Sequence, residues 1–163
     1  MRFRLPVALA ALAATASITL LAHASATVSW VSGATAPANA VVGGFEPGRA
    51  LVVCRAAHEK GVHPGKVVAG NCNFGYGGKE IVRAKYEVLV IDGYYHWVAG
   101  SNGSFPKDAV AGGSEPNRTL YVCRAAHEGG VHPGKLVEKN CNISYGGKEI
   151  TKNTYEVLAS PEY

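Results

Sequence analysis

The segment Gly61-Val-His-Pro-Gly-Lys66 returns unchanged as Gly130-Val-His-Pro-Gly-Lys135, 69 residues further along the chain. Around it, residues 43–89 and 112–158 align without a gap, and 33 of these 47 aligned pairs are identical. The chain is therefore built from two tandem copies of one unit. Because a duplicated unit brings duplicated surface chemistry, polar residues that recur in both copies are candidates for two equivalent sites.

The first 26 of the 163 residues have the pattern of a secretory signal peptide. Arg2 and Arg4 form a basic start, an apolar run covers 5–21, and Ala24-Ser-Ala26 supplies the small residues of a cleavage site. The apolar run is interrupted by polar residues and falls short of the roughly 20 residues that a transmembrane helix needs. The sequence predicts a secreted or periplasmic protein with no transmembrane segment after removal of the signal.

The composition and charge of the mature chain do not point to a particular class of binding partner. The 137 residues that remain suit one compact domain or two small interlocked halves. The formal net charge of the whole chain is +4, and loss of the two signal arginines lowers it to about +2. Basic and acidic residues are interspersed, so we expect an ordinary solvated surface and no nucleic-acid partner.

Each copy contains one pair of cysteines, 18 positions apart: Cys54 with Cys72, and Cys123 with Cys141. An even number of cysteines in an exported chain indicates disulfides. Repeat symmetry favours bonds within each copy, although the cross-copy pairs Cys54–Cys123 and Cys72–Cys141 also respect a two-fold relation. Histidines lie near the first cysteine of each pair, but the close cysteine pair of common structural zinc sites is missing, so we expect no metal.

Local signals favour β-structure in both copies. The run Tyr86–Ile91 is rich in β-forming residues, and 20 glycines and 8 prolines predict many short strands and tight turns. Each copy opens on a Trp-Val pair, at Trp30 and Trp97, which sets the first repeat at 28–95 and the second at 96–163. One copy would bury little core alone. The sequence therefore predicts an all-β fold in which two tandem β repeats pack, or swap strands, about a pseudo-two-fold axis.

Turn signals separate the expected strands. Asp92-Gly93, between two β-rich runs, predicts a hairpin that joins the repeats, because both central residues of such a turn take positive φ. Pro64-Gly65 and Pro133-Gly134 are also typical of turns. Lys79-Glu80 is expected to end a turn and to solvate a strand edge.

A glutamate and a lysine recur at positions that look like loops. Glu46 precedes a proline and Lys66 follows Pro-Gly, and Glu115 and Lys135 repeat this arrangement. A carboxylate and an ammonium that point at one shallow pocket bind a polyol well, because the first accepts hydroxyl protons and the second donates to hydroxyl oxygens. The spacing alone favours a surface ion pair over sugar binding.

The sequence lacks the common catalytic patterns. There is no Gly-x-Ser-x-Gly elbow, no His-Glu-x-x-His and no Walker loop. Arg55 is expected to be a partly buried partner of a carboxylate, and His58 is expected to lie at the rim of the core. We therefore predict a protein that is not an enzyme and carries no cofactor.

Taken in order, the motifs of the mature chain resemble those of the DM-nine repeat family. They are Trp-Val, Gly-Gly-x-Glu, Arg-Ala, Pro-Gly-Lys, Tyr-Gly-Gly-Lys-Glu and Tyr-Glu-Val-Leu. That family includes a mannose-binding lectin of invertebrate immunity, and related repeats accompany natterin-type toxins. The resemblance implies an all-β fold whose two repeats exchange strands.

The resemblance also implies a set of sugar-binding residues. In the lectin, mannose is held by an acidic residue of a Gly-x-Asp loop and by the lysine of Pro-Gly-Lys. The acidic position falls here on Glu46 and Glu115, and the lysine on Lys66 and Lys135. Glutamate in place of aspartate extends the side chain by one methylene. This shift of the carboxylate affects which sugar fits. The four cysteines also depart from the usual family pattern.

These observations predict a secreted carbohydrate-binding protein, a lectin for mannose-type glycans with one sugar pocket per repeat. The alternative is a non-catalytic interaction or toxin-associated module that binds a protein or a membrane partner. A hydrolase of polysaccharides is the least favoured class. A homo-oligomer is compatible with each of them.

Overall fold

The computed structural model describes residues 26–33 and 36–161. Within these residues, fourteen strands form one continuous hydrogen-bonded sheet, and the predicted all-β class is confirmed. The predicted signal peptide lies outside the described residues, apart from Ala26. In the part of the chain that is described, no helix has the length and apolar character needed to cross a membrane.

The strands follow the duplication of the sequence. The first seven are β1 (Thr27–Ser32), β2 (Val42–Glu46), β3 (Arg49–His58), β4 (Gly61–Val68), β5 (Asn71–Tyr76), β6 (Lys79–Arg83) and β7 (Glu87–Asp92). The second seven are β8 (His96–Ser101), β9 (Ala111–Glu115), β10 (Arg118–His127), β11 (Gly130–Val137), β12 (Asn140–Tyr145), β13 (Lys148–Lys152) and β14 (Thr154–Ala159). Each of the first seven strands thus has a counterpart seven strands later.

The order of strands in the sheet has an internal two-fold relation. It runs β1-β7-β3-β2-β11-β12-β13-β6-β5-β4-β9-β10-β14-β8. Reading this order from the other end and exchanging each strand for its counterpart gives the same order. The repeats interlock, because β2 pairs with β11, β4 with β9 and β6 with β13.

Two further pairings, β3 with β4 and β10 with β11, close a ring of six strands, three from each repeat. Glycine is required where the repeats meet in this ring. A Cβ on Gly44 would lie 1.9 Å from the carbonyl oxygen of Val131, and a Cβ on Gly113 would lie 2.0 Å from that of Val62. A side chain at either position would push the paired strands apart.

The disulfides lie in the cores of the two repeats. The bonds are Cys54–Cys72 and Cys123–Cys141, so the pairing within each copy that symmetry favours is confirmed. Each bond is fully buried in its own hydrophobic cluster, and a third cluster, which includes Leu89 and Leu158, joins the repeats. Two disulfides are compatible with an extracellular or secreted protein.

The predicted hairpin at Asp92-Gly93 is wrong. Gly93 has a positive φ of 122° and the chain bends there. However, β7 pairs with β1 and β3, and β8 pairs with β14. A turn motif specifies only the backbone of the connection, whereas the partner of a strand depends on which faces are buried together.

The predicted turns at Pro64-Gly65 and Pro133-Gly134 are also wrong, because both lie inside the strands β4 and β11. A Cβ on Gly65 would approach the carbonyl oxygen of Asn73 to 2.1 Å. Glycine is therefore needed at this position for close packing of β5 rather than for chain reversal. As a result, Lys66 lies in the middle of a buried strand and not at the exit of a turn.

Candidate functional site

The structure brings each predicted glutamate–lysine pair together. Nζ of Lys66 donates to Oε1 of Glu46 at 3.0 Å, and Nζ of Lys135 lies 3.6 Å from Oε1 of Glu115. Both lysines are only 2% exposed. The glutamates end β2 and β9, where 12% and 20% of their side-chain surface remains accessible. These are interior ion pairs that reach the surface through the carboxylate.

A histidine from the opposite repeat completes each pair. Nζ of Lys66 lies 2.8 Å from Nδ1 of His132, and Nζ of Lys135 lies 3.0 Å from Nδ1 of His63. Both histidines are fully buried. Neither histidine is among the site residues predicted above, although both belong to the repeated segment Val-His-Pro-Gly-Lys. That recurrence is the signal that could have identified them.

Hydrogen bonds indicate one tautomer for both histidines. Nε2 of His63 and Nε2 of His132 lie 3.2 and 3.0 Å from the backbone carbonyl oxygen five residues earlier. A carbonyl oxygen only accepts, so Nε2 is assigned the proton and Nδ1 accepts from the lysine ammonium. Burial, followed by the charge of Lys135, lowers the pKa of His63 to about 4. Burial and the charge of Lys66 lower the pKa of His132 in the same way, so both rings are neutral at neutral pH.

An arginine three residues after each glutamate binds the second carboxylate oxygen. Nε of Arg49 donates to Oε2 of Glu46 at 2.8 Å, and Nε of Arg118 lies 3.2 Å from Oε2 of Glu115. Burial alone would raise the pKa of Glu46, but the hydrogen bonds from Arg49 and Lys66 outweigh it and the net shift is downward. Glu46 is therefore a carboxylate at neutral pH.

A tyrosine from the opposite repeat lies beside each ammonium. Nζ of Lys66 is 5.5 Å from the ring centroid of Tyr145, and Nζ of Lys135 is 5.0 Å from that of Tyr76. These distances are within the range of cation–π attraction. The first site consists of Glu46, Lys66, Arg49, His132 and Tyr145, and the second site of Glu115, Lys135, Arg118, His63 and Tyr76. Each site thus combines residues of both repeats, which a description of one pocket per repeat does not capture.

Each site adjoins a small pocket. The pocket at the first site has a volume of about 200 Å³ and includes Asn73 and Glu80 in its wall. The pocket at the second site has a volume of about 220 Å³ and is lined by Glu115, His63 and Tyr76 together with Glu59 and Lys60, but not by Lys135, so the two pockets are not equivalent. Both are smaller than the roughly 300–1,000 Å³ of pockets for drug-sized ligands, so each suits one small polar ligand.

Glu80 connects the repeats instead of solvating a strand edge, so that prediction is wrong for Glu80, whereas Lys79 follows the turn at 77–78 and is exposed as predicted. Nδ2 of Asn73 donates to Oε1 of Glu80 at 3.2 Å, and the backbone N–H of Gly147 donates to Oε2 at 2.9 Å. The edge of β6 is occupied by β13. Among the residues described, the buried Oδ1 of Asn73 has no hydrogen-bond partner, and neither has Oδ1 of Asn142 in the second repeat.

Arg55 has the carboxylate partner that the sequence predicts. Its Nε donates to Oε2 of Glu87 at 2.7 Å, and its guanidinium lies 4.4 Å from the ring centroid of Trp30. Arg124 and Glu156 repeat the bond, also at 2.7 Å. This pair braces β3 against β7 and the first strand of its repeat, outside the two sites.

Comparison with known proteins assigns the family. The DM9 repeat matches residues 46–137 and 115–163 of this chain. No curated protein matches it. Among solved structures, it is similar to the crystal structure of the nematode sperm cell motility protein MFP2B, with a TM-score of 0.59 and 14% identity over 90% of this chain. The match spans 50% of the MFP2B chain, and at this identity it shows likeness of fold alone. By the extent of the repeat match, the chain belongs to the DM9 repeat family.

Proposed function

We propose that this DM9 protein binds carbohydrate, specifically mannose-type glycans, with one sugar pocket at each of its two composite sites. The observation that carries the proposal is the 3.0 Å pairing of Glu46 with Lys66 in a pocket wall, together with its counterpart in the second site. A surface ion pair would not need a buried lysine, a neutral histidine acceptor and a tyrosine ring around it.

The charged groups retain unused hydrogen-bonding capacity. An ammonium has three N–H donors, and Glu46 and His132 take two of those of Lys66. A carboxylate has about four acceptor positions, and Lys66 and Arg49 occupy only part of those of Glu46. Adjacent hydroxyls of a sugar would therefore donate to the carboxylate and accept from the ammonium. Such charge-assisted bonds are stronger than neutral ones.

The sites are also preorganised. The histidine and tyrosine of one repeat hold the lysine of the other, so little side-chain freedom is lost when a sugar binds. Two sites on one interlocked body would bridge neighbouring branches of a glycan, and the avidity would exceed the affinity of either site.

The test is titration calorimetry of the mature, oxidised chain with methyl mannoside and with a mannan fragment. We expect saturable binding near two sites per chain, lost in the double variant Lys66→Met/Lys135→Met. Methionine keeps much of the length and the apolar contacts of lysine but removes the ammonium. The matched control is Lys79→Met/Lys148→Met, because these lysines also recur in both repeats but are exposed.

Absence of heat with every sugar, from a sample whose circular dichroism is that of the folded chain, would contradict the proposal. The protein would then belong to the alternative class, a module for a protein or membrane partner. Dye release from liposomes on addition of the protein would identify the membrane branch of that class.

A further inference from the structure

Several of the sequence differences between the two repeats lie together in one groove beside the second site. The groove has a volume of about 480 Å³, and of its lining residues only Arg118 has an identical counterpart in the first repeat. The others are Phe105, Asn117, Thr119, Tyr121, Leu136 and Glu138, which stand where the first repeat has Ala36, Gly48, Ala50, Val52, Val67 and Ala69. Every one of these differences makes the side chain of the second repeat larger.

The groove presents an aromatic platform. The ring of Phe105 stacks on that of Tyr121, with centroids 4.6 Å apart and an angle of 29° between the ring planes. Phe105 is 51% exposed, so one face of the platform is open to solvent. Leu136 is buried and packs in the core cluster against which Tyr121 rests.

The loop that carries Phe105 is tied down. It contains the two residues by which the second repeat is longer, within 101–104. The backbone N–H of Gly103 donates to the hydroxyl of Tyr155 at 2.8 Å, and that hydroxyl donates to the carbonyl of Ser104 at 3.1 Å. The N–H of Ser104 also donates to the carbonyl of Ser101 at 3.0 Å. Phe105 is therefore held on Tyr121 before any ligand arrives.

Arg118 links the groove to the second site. The guanidinium of Arg118 bridges two carboxylates, with Nε 3.2 Å from Glu115 of the site and Nη1 3.3 Å from Glu138 of the groove. In the first repeat, Arg49 binds Glu46, and the position of Glu138 is held by Ala69. The first repeat therefore lacks both the aromatic pair and the second carboxylate that stand beside the second site.

We infer that this groove is an additional sugar subsite, so that the second site binds a mannose-type oligosaccharide whereas the first site binds a single terminal sugar. The inference rests on the proposed function. A sugar ring has a face of C–H groups that packs on an aromatic ring, while its hydroxyls reach polar side chains at the rim. Phe105 and Tyr121 supply the ring surface, and Asn117, Thr119 and Glu138 supply the polar rim.

The experiment compares methyl mannoside with a linear mannotetraose by titration calorimetry. The chain is produced in a host that does not glycosylate asparagine, because Asn117-Arg-Thr119 is an acceptor sequence. We expect two similar weak sites for methyl mannoside. For mannotetraose we expect one weak site and one site that binds on the order of tenfold more tightly, from apolar area buried on the platform.

The variant Phe105→Ala should abolish the tight class for mannotetraose and leave methyl mannoside binding unchanged. Tyr94→Ala is the matched control, because Tyr94 is 66% exposed and stacks on His96 outside the groove. Thr119→Ala is a second groove variant that leaves the loop of Phe105 intact. If mannotetraose binds two sites of equal affinity, or if Phe105→Ala has no effect, the inference is overturned while the proposed function stands. Failure of methyl mannoside to bind the wild-type chain would overturn the proposed function and the inference with it.

Discussion

Nζ of Lys66, in the first repeat, donates to Nδ1 of His132, in the second repeat, across 2.8 Å. In the same way, Nζ of Lys135, in the second repeat, donates to Nδ1 of His63, in the first repeat, at 3.0 Å. The lysine of each site is therefore oriented by the other repeat. Neither repeat contains a complete site, which makes the interlocked fold a condition for the proposed binding.

This relationship predicts that histidine variants act across the repeats. In a Lys135→Met background, where only the first site remains, His132→Ala should weaken binding of methyl mannoside by about tenfold, because the buried ammonium loses one of its acceptors. His132→Asn should retain most of the affinity, since its Oδ1 can replace Nδ1. Calorimetry in this background measures the effect. Equal loss from His63→Ala, which belongs to the other site, would contradict the assignment.

The buried ion pair predicts an asymmetric effect on stability. Glu46→Ala leaves Lys66 buried without its carboxylate and should lower the free energy of unfolding by about 3 kcal/mol. The double variant Glu46→Ala/Lys66→Met removes both charges and should recover most of that loss. Urea unfolding followed by circular dichroism gives both values. Simple additivity of the two single changes would show that the pair is not coupled.

The stability of the fold should fall when the pH is lowered below 6.5, the usual pKa of histidine. The pKa of His63 is lowered to about 4 and that of His132 is lowered from 6.5, chiefly by burial. Between these pH values the unfolded chain binds protons that the folded chain does not, so stability rises with pH and is fully restored above 6.5. Glu46, whose pKa is also lowered, adds a loss of stability at lower pH.

The magnitude of this effect is up to about 1.4 kcal/mol per pH unit for each histidine within its window. Urea midpoints at pH 7 and pH 5 test it, and His63→Asn/His132→Asn should show a smaller difference between the two pH values. An unchanged difference in that variant would assign the pH dependence to other groups.

The junction between the repeats predicts that Gly44→Ala is severe. Its Cβ would lie 1.9 Å from the carbonyl oxygen of Val131, so β2 must move away from β11. We expect a loss of about 3 kcal/mol or more in the free energy of unfolding. Gly70→Ala is the control, because Gly70 has a positive φ of 75° but open space around it, and should cost only about 1 kcal/mol. Similar losses in both variants would argue against a steric requirement at the junction.

Local composition predicted the strand content well and the connections poorly. The run Tyr86–Ile91 does overlap a strand, β7, since β-branched residues pack well on a half-buried sheet. The predictions of a hairpin at Asp92-Gly93 and of a turn at Pro64-Gly65 were wrong because glycine and proline occur for more than one structural reason. They form turns, but glycine also admits a neighbouring backbone where a side chain would collide, as Gly65 does beside Asn73.

The amino-acid sequence alone established that the protein has two copies of one β-rich unit, that each copy carries two cysteines 18 positions apart, and that Glu46 with Lys66 recurs as Glu115 with Lys135. These are properties of residue identity and spacing. Only the tertiary structure revealed that His132 orients Lys66 and that Phe105 lies on Tyr121. Such contacts depend on which strands of the two repeats pair and on how a loop is anchored, and both follow from the simultaneous burial of distant segments, which no local pattern of residues records.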